Sequence, residues 1–374
     1  MLKAGITGQS GFMGTHLANY LDLQKGVKCI PFEDHYFNHD EKLESWVSQC
    51  DVIVHLAALN RNHDPQEIYN TNIHLVKKLI GALEKTGSKP HLIFSSSTQE
   101  ERDNPYGKSK KEGRRILEAW AKRNDASFTG MIIPNVFGPF GNPFYNSVVA
   151  TFCHQLTHYE QPEIQIDGEL KLIYVGELVE KFYETIKDKR NKKKIESYPV
   201  SHTSTHKVSE ILALLESYKE DYLVNGVFPD LTDPFKRNLF NTFVCYMDIK
   251  DHYPVKLKLN TDDRGSFVET VKLKTGGQVS FSTTKPGITR GNHFHIRKAE
   301  RFAVIKGKAR IQLRRIGNDE ILNFDLDGSQ PSYVDMPTWY THNITNTGNE
   351  DLYTIFWISE FFNPENPDTY FEKV

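Results

Sequence analysis

Short apolar runs alternate with longer amphipathic stretches along the first half of the chain. Residues 52–56 and 91–94 are apolar runs bounded by polar residues, a pattern typical of buried strands. Between them, residues 73–85 carry leucine at every fourth position from Leu75, which is the spacing of one helix face. This order of strand, helix and strand predicts right-handed βαβ units and a doubly wound parallel sheet.

The hydrophobic pattern changes beyond residue 245. From residue 257 onward the chain consists of short alternating segments separated by turn residues; residues 302–305 and 309–313 are two such segments. This pattern predicts an all-β domain, an antiparallel barrel or jelly roll. Because 374 residues are long for one domain, we predict a first domain over residues 1–245 and a second over residues 246–374.

Composition and charge narrow the class of protein. The formal net charge is −2 at pH 7, which does not favour nucleic acid or an anionic membrane as a partner. The chain has no apolar run long enough to span a bilayer, and its first residues read as a strand entering a turn rather than as a signal peptide. Four widely spaced cysteines without a CxxC pair argue against a disulfide framework and favour the cytoplasm.

A glycine-rich turn follows the first predicted strand. Gly8, Gly11 and Gly14 have the spacing GxxGxxG, and Phe12 and Met13 begin the next helix. Such a turn needs residues free of Cβ restrictions, both for its own geometry and for close approach of a pyrophosphate, and the helix start then offers free N–H groups. We therefore predict that these five residues bind a dinucleotide in a Rossmann-type domain.

An acidic pair, Glu33 and Asp34, follows the second predicted strand about twenty residues further on. An acid at this point usually bonds the ribose 2′-hydroxyl of NAD, whereas NADP prefers a nearby arginine, and no arginine stands here. We predict that Glu33 contacts the cofactor. The alternative is that both acids simply begin a solvated loop.

Tyr106 and Lys110 have the i, i+4 spacing that places two side chains on one helix face. A tyrosine is a poor acid at neutral pH unless a neighbouring ammonium stabilises its phenolate. Ser96 and Ser97 end the strand just upstream, at the sheet edge where ligands bind, so a hydroxyl there can bond a substrate carbonyl. The YxxxK spacing also occurs by chance, but the glycine turn and the serines before it favour a carbonyl reductase site.

A second group of chemically active residues lies in the predicted β domain. Gly287, His293, His295, Glu300 and Gly307 match G-x5-H-x-H-x4-E-x6-G, and His342 follows. Because residues i and i+2 of a strand share a face, His293 and His295 can point together into a barrel. We predict that His293, His295, Glu300 and His342 bind Zn²⁺ or another divalent metal. These residues resemble the cupin motifs, although Trp339 stands where cupins often have glycine.

The first 245 residues resemble the extended short-chain dehydrogenases/reductases that act on nucleotide sugars. Beyond the glycine turn and YxxxK, the likeness includes residues 55–58 (HLAA), 134–139 (PNVFGP) and 172–175 (LIYV). It implies that Ser97 or Ser96, Tyr106 and Lys110 carry hydride chemistry.

The same resemblance implies further contacts, and this sequence departs from the family pattern at two places. It implies that Leu56 and Ala57 lie beside the cofactor and that Ser96 and Asn135 contact the substrate. Residues 132–133 are Ile-Ile where the family often has arginine, which puts that substrate contact in question. Residues 98–99 are Thr-Gln rather than the Asp-Glu of the dehydratases, which argues against water elimination.

Residues 262–269 read D-D-R-G-S-F-V-E and resemble the opening segment of sugar-nucleotide 3,5-epimerases. That resemblance implies that Arg264, Phe267 and Glu269 hold the nucleotide, often across a dimer interface. Arg264 is alternatively an ordinary turn residue.

The combination of both halves resembles the family of bacterial capsular polysaccharide synthesis enzymes F, over essentially the whole chain and including residues 366–371 (NPDTYF). The resemblance implies a bifunctional homodimer with zinc in the cupin. The cupin would epimerise C3 of a UDP-2-acetamido-2,6-dideoxy-4-hexulose. The reductase would then reduce the C4 ketone with NADPH to a 6-deoxytalose-type product on the way to UDP-N-acetyl-L-fucosamine.

The residues leave several points open. Tyr340, or one of the cupin histidines, would move the C3 proton, although Tyr340 is nearly as well explained as a core tyrosine. The acids at 33 and 34 favour NADH over the NADPH of the family. The cupin could instead be a non-catalytic metal-binding dimerisation module beside a single reductase activity. A sugar dehydratase or a C4 epimerase without net redox is a third alternative.

Overall fold

A computed structural model describes residues 1–188, 194–263 and 265–374. Its chain forms two compact units. The first unit comprises residues 1–148 and 168–207, and the second comprises residues 149–167 and 208–374. Residues 208–244, which the sequence pattern assigns to the first domain, thus make their contacts within the second unit.

The first unit is built on a six-stranded parallel sheet of order β2-β1-β3-β4-β5-β8. A smaller sheet, β6-β7-β9, lies beside it in the same unit. The strands are β1 Leu2–Thr7, β2 Val27–Ile30, β3 Val52–His55, β4 His91–Ser97, β5 Phe128–Ile133, β6 Asn135–Phe137, β7 Glu169–Tyr174, β8 Ile195–Pro199 and β9 Ser204–Lys207. The central strands are buried along almost their whole length, as expected for a parallel sheet covered by helices.

The described part of the first unit contains five α-helices, and two of them begin at a residue whose side chain caps the helix. They are α1 Phe12–Asp22, α2 Asp40–Val47, α3 Pro65–Thr86, α4 Pro105–Asn124 and α6 Val175–Lys187, with 3₁₀ turns at Asp34–Asn38 and Thr98–Glu101. Asp64 caps α3 by accepting from the backbone N–H of Gln66 at 2.9 Å, and α3 ends at Gly87 with φ 66°. Helix α4 begins in the same way, with proline at its first position and an asparagine cap.

The second unit contains two five-stranded antiparallel sheets, β11-β20-β17-β22-β15 and β19-β18-β21-β16-β23. Their strands are β11 Val255–Lys256, β15 Gln278–Thr284, β16 Thr289–Phe294, β17 Glu300–Lys306, β18 Lys308–Arg315, β19 Ile321–Asp327, β20 Ser332–Met336, β21 Tyr340–Asn346, β22 Leu352–Ile358 and β23 Tyr370–Phe371. Along β18, Ala309, Ile311 and Leu313 are buried while the residues between them are more exposed. This alternation places one face of each sheet in the core.

Shorter elements complete the second unit. They are helices α5 Val148–Thr157, α7 Val208–Tyr218, α8 Pro234–Val244 and α9 Ile249–His252, a π-helical turn at Lys219–Val224, and strands β10 Val227–Phe228, β12 Asn260–Asp262, β13 Gly265–Phe267 and β14 Lys272–Leu273. A buried ion pair between β17 and β20 also binds residues of the π-helical turn and of the loop after it. Arg301 donates to both oxygens of Asp335 (2.7 and 2.8 Å) and to the Gly226 carbonyl, and Tyr222 also donates to Asp335.

The predicted fold class is confirmed: a Rossmann-type parallel sheet precedes an antiparallel two-sheet domain of cupin type. Among the residues that the structure describes, no helix is both long enough and apolar enough to cross a bilayer. All four cysteines are free thiols.

Candidate functional site

The glycine turn between β1 and α1 has the geometry that its spacing predicts. Gly8 has φ 68°, and a Cβ there would come within 2.9 Å of the Ala57 backbone, so only glycine allows this approach. A Cβ at Gly14 would collide with the Gly8 carbonyl. Helix α1 begins after Gly11 without a side-chain cap and without an acid in its first turn. Its first N–H groups are therefore available to an anion such as a pyrophosphate.

A cavity of about 580 Å³ opens at this turn. Seven of the predicted cofactor-binding residues line it: Gly8, Gly11, Phe12, Met13, Gly14, Leu56 and Ala57. Asp34 also lines the cavity and accepts a 2.9 Å hydrogen bond from the Ser10 hydroxyl. Glu33 is exposed, is not among the lining residues, and lies 3.1 Å from His35 Nδ1. Asp34 therefore lies at the wall of this cavity, whereas the predicted contact Glu33 does not line it.

Tyr106 and Lys110 lie on the first turns of α4, and Lys110 is buried. Its ammonium donates a 2.9 Å hydrogen bond to the Ser95 carbonyl and lies 5.7 Å from the centre of the Tyr106 ring. Burial lowers the pKa of Lys110 to about 8, although the charge of Glu100 opposes this shift. Burial also raises the pKa of Tyr106 to about 12, with a contribution from Tyr145. At neutral pH the phenol is therefore protonated and the amine is charged.

Gly107, next to Tyr106, determines how closely α4 can approach the 3₁₀ turn after β4. A Cβ at this position would collide with the Gln99 carbonyl oxygen. The Gly107 N–H donates to the Asn104 side chain at 2.7 Å, which fixes the helix start. Sequence reasoning assigned no role to Gly107, because nothing in the local pattern shows that the backbone of residue 99 packs against it.

The two candidate serines have different surroundings. Ser96 is buried and donates a short hydrogen bond to Glu100, whose carboxylate also forms a two-point ion pair with Arg114 (2.9 and 2.7 Å). Ser97 is half-buried, and its oxygen accepts from the Gln99 N–H at 3.2 Å. This leaves the Ser97 O–H as a donor. Ser97 is therefore better placed than Ser96 to bond a substrate carbonyl.

The predicted substrate contact Asn135 and the segment at residues 144–145 are each held by hydrogen bonds to other parts of the first unit. Asn135 is exposed at the start of β6 and donates to the Lys171 carbonyl at 3.3 Å. Further along, Arg61 holds the carbonyl groups of Phe144 (2.8 Å) and Tyr145 (3.0 Å), and Phe144 has φ 57°. A left-handed conformation in an aromatic residue is strained, so these bonds hold the segment in an otherwise unfavourable shape.

The four predicted metal ligands form one cluster in the second unit. The ligand atoms of His293, His295, Glu300 and His342 all lie within 4.8 Å of one another. Nε2 of His295 and of His342 lie 3.0 and 3.2 Å from Glu300 Oε2. Two ligand atoms bound tetrahedrally to one Zn²⁺ are separated by about 3.4 Å, given Zn–N distances of about 2.1 Å.

The electrostatics of the cluster also fit a cation. Nε2 of both buried histidines and Oε2 of Glu300 have no hydrogen-bond partner of good geometry, although polar atoms at such depth are normally satisfied. Burial lowers the pKa of His293 to about 4, and His342 and His295 contribute, so this imidazole is neutral at pH 7. Neutral imidazole is the form that binds a metal, and the donor set therefore fits Zn²⁺ or a similar divalent ion.

A bulge and a strained residue shape the cluster. The pairing of β16 with β21 shifts register between Gly291 and His293, after which His293 faces His342 across the strands. Trp339 has φ 66°, is buried, and its N–H donates to the His295 carbonyl at 2.8 Å. The left-handed conformation explains why related cupin motifs place glycine there.

Tyr340, the predicted proton carrier, begins β21 two residues before His342. Burial raises the pKa of Tyr340, with a contribution from Cys245 and an opposing effect of Arg315. Its phenol is thus protonated at neutral pH. The Tyr340 carbonyl lies 3.3 Å from Nδ1 of His342 and accepts from it, which turns Nε2 of His342 toward Glu300.

Two of the predicted nucleotide contacts of the second unit, Phe267 and Glu269, lie on or next to an exposed hairpin. Phe267, in β13, is 66% exposed, and Glu269 is also exposed. Arg264 lies outside the described residues. The structure of this single chain therefore does not bring the hairpin residues into a closed site.

Fold and sites together define a class: a nicotinamide-dinucleotide-binding Rossmann domain of the short-chain dehydrogenase/reductase type, followed by an antiparallel β domain with a candidate metal cluster. A model of the NAD dependent epimerase/dehydratase family matches residues 4–201, and one of the polysaccharide biosynthesis C-terminal domain matches residues 260–370. The chain belongs to the NAD dependent epimerase/dehydratase family.

Two known proteins match this chain over essentially its whole length, and a third matches part of it. A UDP-2-acetamido-2,6-beta-L-arabino-hexul-4-ose reductase of Pseudomonas aeruginosa is 33% identical, over 99% of this chain and 98% of the relative. The crystal structure of the capsular polysaccharide assembling protein CapF of Staphylococcus aureus is 34% identical, covers both chains completely and has a TM-score of 0.62. The spore coat polysaccharide biosynthesis protein SpsL of Bacillus subtilis is 27% identical, over 30% of this chain and 82% of the relative. The predicted resemblance to the capsular polysaccharide synthesis enzymes F is thus confirmed.

Proposed function

We propose that this protein acts twice on one UDP-linked 4-keto-6-deoxy-N-acetylhexosamine, first at C3 in the second unit and then at C4 in the first. The observation that carries the proposal is that one chain holds both a Tyr106–Lys110 pair and a largely buried His₃Glu cluster. A C4 ketone serves both sites, because it acidifies the C3 proton and later accepts a hydride. The name of the reductase relative from Pseudomonas aeruginosa supports this class of substrate.

In the reduction step, side chains of the first unit prepare the ketone for hydride from NADPH or NADH. The Ser97 O–H bonds the C4 carbonyl oxygen, and Tyr106 donates its phenolic proton to that oxygen as the hydride arrives at C4. The Lys110 ammonium stabilises the phenolate that remains, and solvent then restores the proton. The product is the C4 alcohol, of the 6-deoxytalose type.

In the epimerisation step, a bound divalent ion, Zn²⁺ in the first instance, would stabilise the negative charge of the C3–C4 enolate. His293, His295, Glu300 and His342 would hold this ion. The C3 proton is lost to a base from solvent. Tyr340, whose phenol is protonated at neutral pH, or a protonated histidine of the cluster then returns a proton to the opposite face of C3. The reaction has no net redox change, so it needs no nicotinamide.

We also propose a homodimer that forms through the second unit. The edge strand β15 presents Val279 (59% exposed) and Phe281 (73% exposed) on one face. Phe267, which precedes this strand in the sequence, is exposed as well. Exposed apolar side chains along a sheet edge favour pairing with another chain. A second copy would cover them and could complete the nucleotide site at Phe267, Glu269 and Arg264. Light scattering should give a dimer for the wild type and a monomer for Phe281→Glu.

The free cysteines agree with a reducing compartment, and we propose that the enzyme works in the cytoplasm.

The decisive experiment follows a UDP-4-keto-6-deoxy-N-acetylhexosamine in heavy water by NMR, first with enzyme alone and then with NADPH or NADH. We expect deuterium at C3 before any nicotinamide is added and C4 reduction afterwards. Tyr106→Phe should exchange C3 but not reduce, whereas His342→Ala should lose exchange together with the metal. Reduction without C3 exchange would instead make the second unit a metal-binding dimerisation module.

A further inference from the structure

The segment at residues 366–371 packs against the part of the chain that carries the metal ligands His293 and His295. Strand β23 pairs with β16, so that Phe371 faces His293 and Tyr370 faces Phe294. Just before β23, Asp368 is 3% exposed although it carries a charge. The sequence motif at these positions therefore has a tertiary role that its local pattern does not reveal.

The Asp368 carboxylate binds the loop that follows His295. One of its oxygens accepts from the Ile296 N–H at 3.2 Å, and the other accepts from the N–H groups of Arg297 and Lys298, both at 3.0 Å. Three backbone donors on one carboxylate form a charge-assisted set that fixes the path of this loop.

The main-chain carbonyl of the same residue binds His295 itself. Nδ1 of His295 donates a short hydrogen bond to the Asp368 carbonyl oxygen. A carbonyl can only accept, so Nδ1 carries the proton and Nε2 is left as the unprotonated atom, facing Glu300 at 3.0 Å. Such outer contacts hold the tautomer and ring orientation of metal-binding histidines.

The backbone conformation explains why an aspartate suits this position. Asp368 has φ 43°, which is unfavourable for most side chains but tolerated by aspartate and asparagine. Its carboxylate bonds hold the residue in this conformation, and the conformation in turn aims the carbonyl at His295.

We propose that Asp368 is the positioning residue for the metal ligand His295, so that the metal site extends beyond its four ligands to this one residue of the segment 366–371. The inference rests on the proposed metal site and assigns a residue, 73 positions along the chain from His295, on which the affinity for the metal depends. Asp368 acts through His295 and does not itself contact the ion.

The test measures the Zn²⁺ dissociation constant of the full-length chain by competition with a chromogenic chelator. Asp368→Gly keeps the positive φ and removes the carboxylate, and we expect zinc to bind about 10- to 100-fold more weakly. Asp368→Asn keeps both the conformational preference and one acceptor oxygen, and it should bind zinc with intermediate affinity. Thr369→Val is the matched control, since it removes only contacts to Lys298 and Pro367 and should bind zinc as the wild type does.

A second readout separates ligand orientation from loss of fold. The visible absorption spectrum of the Co²⁺-substituted protein reports the geometry of the ligands, and we expect it to change in both Asp368 variants but not in Thr369→Val. If Asp368→Gly does not fold, Asp368→Asn decides the question. Wild-type zinc affinity and an unchanged cobalt spectrum in a folded Asp368 variant would overturn this inference while leaving the proposed function intact. Failure of the wild type to bind zinc would overturn both.

Discussion

The ammonium of Lys110 donates its hydrogen bond to the carbonyl oxygen of Ser95, the residue immediately before the two candidate serines. This contact ties helix α4 to the end of strand β4 and brings the lysine inside the first unit. Because Tyr106 lies one turn earlier on the same helix, the bond also fixes the tyrosine relative to Ser97.

Tyr106→Phe should abolish hydride transfer and leave coenzyme binding intact. The variant lacks only the phenolic oxygen, and loss of a general acid typically slows a reaction by about 10²- to 10⁴-fold. Stopped-flow oxidation of NADPH or NADH measures the first effect, and coenzyme fluorescence titration measures the second. Reduction at the wild-type rate would refute the role of Tyr106 as the acid.

Lys110 should make the reaction sensitive to alkaline pH. Burial holds its pKa at about 8, so the ammonium is lost as pH rises through that value and kcat/KM of the free enzyme should fall there. Lys110→Met should be inactive throughout, whereas Lys108→Met, an exposed lysine on the same helix, should keep the wild-type profile.

The lowered pKa of Lys110 also predicts how the stability of the fold changes with pH. Between pH 8 and the ordinary lysine pKa of 10.5, the unfolded chain binds more protons than the folded one. Wild-type stability should therefore rise with pH in this interval relative to Lys110→Met. Thermal unfolding midpoints of both proteins between pH 7.5 and 10.5 measure the difference, and a constant difference would contradict the lowered pKa.

Gly107→Ala should impair both fold and reduction. The new Cβ would force the start of α4 away from Gln99, at a typical cost of about 1–3 kcal/mol, and would displace the adjacent Tyr106. Gly81→Ala is the matched control, because that helix position has open space for a methyl group and should gain about 0.5–1 kcal/mol. Urea unfolding measures the stability of both variants, and steady-state kinetics measures their kcat. A fully active Gly107→Ala would disprove the argument that α4 packs too closely against Gln99 for a side chain at this position.

Asp34 should set the coenzyme preference. Its carboxylate lines the cavity, where it can accept from the 2′-hydroxyl of NADH and would repel the 2′-phosphate of NADPH. Asp34→Asn should raise the ratio of kcat/KM for NADPH to that for NADH by about tenfold, as expected when a hydrogen bond to a charged group is lost. Glu33→Gln should leave the ratio unchanged, and the reverse pattern would return the role to Glu33.

Trp339→Gly should be more stable than Trp339→Ala, although it removes more atoms. Both variants lose the buried indole, but alanine keeps the strain of the left-handed backbone, which is of order 1 kcal/mol. For a unit of this size we expect the glycine variant to melt about 2–4 °C higher. Equal midpoints would show that the segment relaxes once the indole is removed.

Much of the reductase site could be predicted because its information is local. The spacing of Gly8, Gly11 and Gly14 sets a turn within one βα unit, and the i, i+4 spacing of Tyr106 and Lys110 sets a helix face. Likewise, His293, His295 and Glu300 lie close together in the sequence, from the end of β16 to the first residue of β17. In each case a short stretch of chain determines which side chains lie near one another, so the spacing of the residues along the sequence is enough to predict the site.

Other features depend on contacts between segments far apart in the sequence. The pattern at the end of β2 could not distinguish Glu33 from Asp34, because the choice depends on Ser10 and the walls of the cavity. The hydrophobic pattern of residues 208–244 did not predict that they group with the second unit. In that unit the Tyr222 hydroxyl donates a hydrogen bond to Asp335.

The sequence by itself determined the order of the two folds, the dinucleotide turn, the YxxxK helix and the metal-ligand motif, since each follows from local spacing and periodicity. Only the tertiary structure decided that Asp368 holds His295, that Gly107 must lack a side chain beside Gln99, and that Trp339 is left-handed. Those three depend on which distant backbone atoms meet in the packed interior, and burial of polar and apolar groups, rather than neighbouring residues, determines that outcome.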